Sequence, residues 1–376
     1  MAQRQSLLLL SGYNIRAVIA FCRWATAHNI DFHIIARDAH DPIFLTDYQK
    51  NVLLVRDSLA LQPGTLLAWV EALNEKYHYD SVLLLPATEY FNRFLLQHRE
   101  VIERNRCVIP LVEEALYKTI SDKVCFARLC ASYGLDIPSE FDDIPAQFPF
   151  VAKPRHYFSA TGRQLIPYLI YDEIGLNHFF EREEALEFFY QEFVKGRSIY
   201  LLVYLAKDGS EILFSQENLM QQGGGKSIIL ARHSDFHTTK PARHYIDMLR
   251  AVGFSGLIMI ELRYDEPNNR YVMIEANPRL WGPMQFVVDN TVDLFGRMLV
   301  DYDFTFSVSD KKPHPASHYF WSGGISGDAQ PIAFFNYSAS QFLKDYPMLR
   351  SQDIFFRNDT LNLFLSEAGK RNNDET

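Results

Sequence analysis

The chain has 376 residues, and 46 acidic against 37 basic side chains give a formal charge of −9 with histidines neutral. Single cores stop growing at about 250 to 300 residues, so two or three packed domains are expected. With 48% hydrophobic and 22% charged residues but only 18 Gly and 17 Pro, the composition excludes a disordered, collagenous or low-complexity chain, and an acidic balance without any Lys/Arg run argues against a general nucleic-acid binder.

Apolar runs such as 7–10 and 82–85 fall far short of the roughly 18 residues of a membrane span. Arg4 and four leucines are followed by Asn14 and Arg16, which breaks the pattern of a secretory signal, so a cytoplasmic protein is expected. Cys22, Cys107, Cys125 and Cys130 form no C-x-x-C pair and lack zinc-site spacing; they read as reduced, mostly buried thiols.

From residue 7 to 110, short apolar runs at 7–10, 32–36, 52–55, 82–85 and 107–109 alternate with helical patterns, as βαβ units of a parallel sheet do. Ile15, Val18, Ile19 and Cys22 keep the spacing of an amphipathic helix between the first two runs. A Rossmann-like first domain follows. The turn Ser11-Gly12-Tyr13-Asn14 lacks G-x-G-x-x-G, which argues against a dinucleotide there.

A second region opens with a helix that Ser121 or Asp122 can cap, with Gly134 just past its end and Pro138 beyond. A strand at 148–153 follows. Longer antiparallel runs come next, at 199–206 and 211–215 around Lys207-Asp208-Gly209-Ser210, and at 257–264 and 271–276 around residues 265–269. This part reads as α+β. Residues 309–317, with three charges and two prolines, read as a linker into a small C-terminal segment, and residues 369–376 as a disordered tail.

Pairing the 257–264 and 271–276 runs about Asn268 sets Glu261 opposite Glu275, both inside apolar runs and both on one face. Like charges directly opposed destabilise a sheet, and burying them unpaired costs several kcal/mol, so something cationic must meet them. Asn277 projects to the same side as Glu275, and three hard oxygen donors suit Mg²⁺ or Mn²⁺. The alternative is a salt bridge to Arg263 or Arg279. Lys153 ends a buried apolar strand and calls for an anion, with His156, Ser159, Ala160, Thr161 and Gly162 after it able to bring backbone N–H groups to phosphate; an ordinary strand-end lysine is the alternative. Residues 223–227, Gly-Gly-Gly-Lys-Ser, fail the Walker A pattern because Met220 stands where glycine is required. They form either a mobile loop near phosphates or a plain connecting turn.

Taken in order, these residues resemble the ATP-grasp superfamily, specifically its carboxylate–amine ligase branch near carbamoyl-phosphate synthase large-subunit-like proteins, over roughly residues 7–301. Residues 253–256 (Gly-Phe-Ser-Gly) and 274–282 (Ile-Glu-Ala-Asn-Pro-Arg-Leu-Trp-Gly) carry the likeness most strongly. The resemblance implies a Rossmann-like domain at 1–112, an α+β ATP-grasp domain at 113–308 with lobes at about 113–190 and 196–308, and a C-terminal segment at 309–376. It implies ATP with Mg²⁺ or Mn²⁺, with Glu261, Glu275 and Asn277 as metal ligands and Arg279 on the transferring phosphoryl group. Lys123 and Lys153 are similar to the family's two ATP lysines, and Gln191, Phe193 and Val194 to its adenine-contacting segment. Many members carry Glu where Gln191 and Ser198 stand, the latter for the ribose hydroxyls.

The activity so implied is ADP-forming amide or peptide ligation of a small amino acid or related metabolite through an acyl phosphate. A phosphotransferase and a non-catalytic nucleotide-binding regulator are the alternatives. Arg155, Tyr157, Arg263 and Trp281 are candidate pocket residues. No nucleophilic triad is needed, and His33, His156, His233 and His237 read equally well as packing or solvated residues and as bases. A homodimer is the commonest arrangement for such a chain. The aromatic run at 318–324 reads as a packed strand rather than a cover over the site.

Overall fold

The computed structural model describes residues 4–155, 159, 161, 163, 165–306, 315–325 and 331–373. The first apolar runs become five parallel strands, β1 (Gln5–Leu10), β2 (Phe32–Ala36), β3 (Val52–Val55), β4 (Ser81–Leu84) and β5 (Cys107–Val108), in the order β3-β2-β1-β4-β5. Leu7 and Leu9 of β1 enter one core while Leu8 and Leu10 enter another. A strand covered on both faces requires unbroken apolar sequence, which is what the run at 7–10 supplies. The helix Ile15–Ala27 closes one face with Ala17, Val18, Phe21 and Cys22. Cys107 and Cys130 are also buried and Cys125 is exposed; all four thiols are free.

Helix Glu114–Ser121 and helix Lys123–Ser132 follow, and Asp122 caps the second by accepting from the N–H groups of Val124 at 3.0 Å and Cys125 at 2.8 Å. Next comes a four-stranded sheet of β6 (Glu140–Phe141), β7 (Phe150–Pro154), β8 (Tyr168–Ile170) and β9 (Phe188–Glu192), in the order β6-β9-β7-β8. A larger antiparallel sheet holds β10 (Arg197–Leu205), β11 (Glu211–Gln221), β12 (Ile228–His233), β13 (Gly256–Asp265), β14 (Arg270–Asn277) and β15 (His318–Phe320) in the order β14-β13-β10-β11-β12-β15, with β16 (Ala333–Phe334) paired to β11. Tyr200, Leu202 and Tyr204 of β10 face the core shared with the first region. Ile199, Leu201 and Val203 face the core under helix Lys240–Ala251.

Two boundaries differ from the sequence reading. The strand expected at 211–215 continues to Gln221, because Gln216, Glu217 and Asn218 are buried and hydrogen-bonded instead of turning into solvent. The 318–324 run contributes β15 to the large sheet, as read. The tail expected to be disordered from 369 is helical to Asn373, as the end of helix Leu361–Asn373. Most of the expected linker, and His156, Tyr157, Ala160 and Gly162, lie outside the described residues.

Candidate active site

The β13–β14 hairpin closes on the pair Asp265 and Arg270, where Asp265 accepts from Asn268 Nδ2 at 2.9 Å and Arg270 Nε at 2.7 Å. The register starts half a residue from the one centred on Asn268: Leu262 opposes Met273. Ile274 then bulges, and beyond it Glu261 opposes Glu275 and Met259 opposes Asn277. Without that extra residue Glu275 would point into the core with Met273; the bulge turns it to the face of Glu261. It also exposes the Ile274 carbonyl, which accepts from Lys153 Nζ at 3.2 Å.

Register extends the carboxylate pair into a row across five strands: Glu275, Glu261, Tyr200, Gln216 and His233 are successive direct partners. The cations come from far away in sequence. Lys123, at the start of its capped helix, sits 3.3 Å from Glu275 Oε2, and Arg263 Nη2 donates to Glu261 Oε1 at 3.3 Å. Asn277 Nδ2 donates to Glu275 Oε1 at 2.8 Å while its Oδ1 accepts from Arg279 Nη2 at 2.9 Å. Arg279 Nε is buried without a partner among the described residues. The salt bridge to Arg263 that the sequence offered as an alternative is therefore present at Glu261, while Glu275 pairs with Lys123 and not with an arginine.

These neighbours drive the two carboxyls apart. Burial pushes Glu261 up, more than Arg263 brings it down, and Glu275 adds to the rise. Burial also acts to raise Glu275, but Lys123, the Asn277 amide, Lys153 and Arg279 hold it down at about 2. Lys153 is lowered to about 8, first by burial and then by Lys123, against the pull of Glu275 and Glu261. A cluster of two carboxylates and four cations, partly short of partners, suits an anionic ligand carried with a divalent ion. Among the described residues no three His, Cys, Asp or Glu side chains gather as a metal cluster; the third oxygen here is the Asn277 amide.

The segment at 191–194, expected to contact adenine, falls between the small sheet and the large one. Gln191 opposes Val151 on β7, so it shares a sheet face with Lys153 two residues along. It is 3% exposed, with Nε2 3.4 Å from Glu140 and Oε1 without a partner. Phe193 packs edge-on to Tyr171, and Val194 is buried. Ser198 stands apart from the others: it is fully enclosed, its Oγ accepts from Asn218 Nδ2 at 2.9 Å, and it offers no surface to a ribose in this arrangement.

Tyr200, Gln216 and Asn218 escaped the sequence reading, although polar residues alternating in apolar strands were a signal for them. The glycine run at 223–225 is a connecting turn with Gly224 at φ 68° and Gly225 at φ 74°. Arg16 holds it from the first region, donating to Ser227 Oγ at 2.7 Å and to the Ile228 carbonyl at 3.1 Å. Asn14 Nδ2 likewise bonds the carbonyls of Ala87 at 3.1 Å and Leu280 at 3.0 Å, pinning the segment after Arg279 to the first sheet. A cleft of about 550 Å³ lined by Arg232, His318, Tyr337 and Asp345 opens on the opposite face of the large sheet from the Glu261 row.

Several solved structures share this architecture. The complex of Campylobacter jejuni biotin carboxylase with β-γ-ATP matches at TM-score 0.55 and 13% identity, over 82% of this chain and 73% of that one. The biotin carboxylase domain of Hydrogenobacter thermophilus 2-oxoglutarate carboxylase, with MgADP, ADP and bicarbonate, matches at 0.55 and 11%, over 85% and 73%. An ADP complex of N5-carboxyaminoimidazole ribonucleotide synthetase matches at 0.58 and 12%, over 82% and 80%. The chain has the ATP-grasp fold. At these identities the likeness establishes the fold, a multi-domain α/β architecture with one parallel and two antiparallel sheets. No protein-family model matches the sequence, and no curated protein does. In ATP-grasp terms the Glu261 row lies on the large sheet and Lys153 on the small one, so the cluster bridges the two.

Proposed function

We propose that this chain is an ATP-dependent, ADP-forming carboxylate–amine ligase. The observation that carries the reading is the opposed Glu261 and Glu275 pair, with Lys123, Lys153 and Arg279 gathered about it from four elements. A substrate carboxylate attacks the γ-phosphorus of ATP, the bond to the β-bridging oxygen breaks, and ADP leaves an acyl phosphate. An amine then adds to the acyl carbon, loses a proton and expels inorganic phosphate. Such chemistry asks a protein for positioning and charge neutralisation rather than a nucleophilic side chain.

Glu261, Glu275 and Asn277 fit Mg²⁺ or Mn²⁺ by donor chemistry, three hard oxygens on one face, and the Asn277 Oδ1, which accepts from Arg279, would turn from it to hold the ion. An ion held by these residues would neutralise charge on phosphate oxygens. Lys123 and Lys153 hold phosphate oxygens, and Arg279, with its unpartnered Nε, steadies the phosphoryl group in transfer. The backbone around Phe193 and Val194, with Gln191 beside it, holds the adenine. A small amino acid or related metabolite as substrate, a cytoplasmic location, a homodimer, and the division at 112 and 308 belong to the same proposal. The neighbours support it in that they are complexes with β-γ-ATP, with MgADP, ADP and bicarbonate, and with ADP.

The test is ADP and phosphate release from MgATP with pooled carboxylates and amines, followed by mass spectrometry of the product. ADP release that requires both a carboxylate and an amine supports the ligase. Release without amine dependence, with a stable phosphorylated product, makes it a phosphotransferase, and melting raised by MgATP without turnover makes it a regulator; either overturns the proposal.

A further inference from the structure

Two arginines of the first region, one half-buried and one buried, are held in very different ways. Arg23 spends all five donors: Nε and Nη2 on Asp359 at 2.7 and 3.0 Å, Nη1 on Gln285 and the Ile354 carbonyl at 2.8 Å each, and Nη2 again on Thr360 at 2.7 Å. Arg56, just past the end of β3, is 8% exposed. Among the described residues its guanidinium makes one long bond, Nη2 to the Ser11 carbonyl at 3.4 Å, and its buried Nε has no partner. The one buried carboxylate nearby, Asp41, is already engaged by Ser11 Oγ at 2.6 Å, the Arg37 N–H at 2.7 Å and the Ile43 N–H at 3.0 Å. A guanidinium this short of partners costs several kcal/mol to bury unless an anion completes it.

Its surroundings can take one. Ser11, Arg37 and Arg56 directly follow or lie just past β1, β2 and β3, at the carboxyl ends where open α/β sheets receive ligands. The strand order reverses between β1 and β4, and Asn14 bridges the loops of those two strands. Arg37, on the loop after β2, is a second cation: its Nε pairs with Asp38 at 2.7 Å, Nη1 donates to the Gly12 carbonyl at 3.1 Å, and its guanidinium lies 5.4 Å from the centre of the Tyr13 ring. Tyr13 is 49% exposed, so that ring is the outer wall. Gly12, at φ 87°, lies so close to Arg37 that a Cβ would overlap its side chain. The loops after β2 and β3 each bring a guanidinium fork to this edge of the sheet, a donor geometry that suits an oxyanion.

We propose that Arg56 and Arg37 form an oxyanion subsite in the first region, taking a carboxylate or phosphate group. On the ligase reading, on which this step alone rests, that group is the acid end of the second substrate, because the loop after β1, whose Ser11 carbonyl meets Arg56, also pins the segment after Arg279 through Asn14.

The test compares wild type, Arg56→Met and Arg37→Ala as full chains, by thermal melting and titration calorimetry with inorganic phosphate and with succinate, against sodium chloride of equal ionic strength. Phosphate, succinate or both raise the wild-type melting temperature by several degrees beyond chloride; which of them does so identifies the source of the oxyanion. Arg56→Met melts at or above wild type without anion, since it removes an uncompensated buried charge, and loses the rise. Arg37→Ala, a change at a half-buried side chain expected to fold, binds about tenfold more weakly. MgATP raises the melting temperature of all three alike. Equal anion responses in wild type and Arg56→Met overturn the site, as does a wild type indifferent to both anions or, should Arg56→Met not fold, an Arg37→Ala that binds as wild type. Loss of the MgATP rise in every protein instead overturns the ligase reading and leaves the subsite standing.

Discussion

Replacing Glu275 by Gln separates the structural and chemical duties of the carboxylate pair. Glu275 is held at about 2 against an ordinary 4.5, a depression of roughly two and a half pH units, equivalent to about 3 kcal/mol favouring the charged form in the folded state. Because the folded value is the lower one, this stability is fully present above pH 4.5 and is lost as pH falls towards 2. Glu275→Gln should therefore unfold about 3 kcal/mol more easily in urea at pH 7, and its deficit against wild type should shrink below pH 4.5. Removing one of three metal donors costs at least as much as removing an outer partner, so Mn²⁺ affinity and MgATP-dependent ADP release should each fall at least about a hundredfold. Glu261→Gln should behave oppositely towards stability. Its carboxyl is raised by burial, so neutralising it leaves stability equal to or above wild type while abolishing ADP release. Equal destabilisation by the two variants, or full turnover by either, would refute this account of the pair.

Lys153, lowered to about 8, should lose its charge as pH rises through that value, so MgATP affinity should weaken above pH 8 in wild type and stay flat in Lys153→Met, read by calorimetry. Gly196 takes φ 136° between β9 and β10, and a Cβ there would overlap the Tyr264 carbonyl; Gly196→Ala should cost about 2 to 4 kcal/mol in urea unfolding and weaken nucleotide binding. Asp359, bonded by Arg23 and by Tyr48 at 2.7 Å, ties the C-terminal segment to the first sheet. Burial acts to raise its carboxyl, but these donors hold it below the ordinary range, so its contribution is present above the usual aspartate value and lost as pH falls below it. Asp359→Asn should cost about 3 kcal/mol at pH 7, and the difference from wild type should narrow on acidification.

Parallel strands, the capped helix at Asp122 and both long hairpins were legible because each rests on local rules: apolar runs, a cap, turn residues. The pairing of Glu261 with Glu275 was also legible, though by a different route from the one the sequence suggests. Symmetry about Asn268 names the right pair, but the turn closes on Asp265 and Arg270, and only the bulge at Ile274 restores the count. Nothing in Val272-Met273-Ile274-Glu275 announces a bulge. What demands it is tertiary: an apolar side chain must leave the row so that a carboxylate can enter it, and Lys153, from another sheet, takes the freed carbonyl. The strand through Gln216 and Asn218 was cut short for the same reason, since a polar run looks like a turn until its partners are known. Arg263 and Ser198 show the limit from the other side, because their residue types were noticed while their burial and bonds were set by strands up to 65 residues away in sequence. The places where local rules fail here therefore coincide with the places where charge is buried. Burying charge requires partners from several elements, and a chain that keeps such groups at Glu261, Glu275, Lys153 and Arg56 keeps its least satisfied atoms where a ligand can complete them.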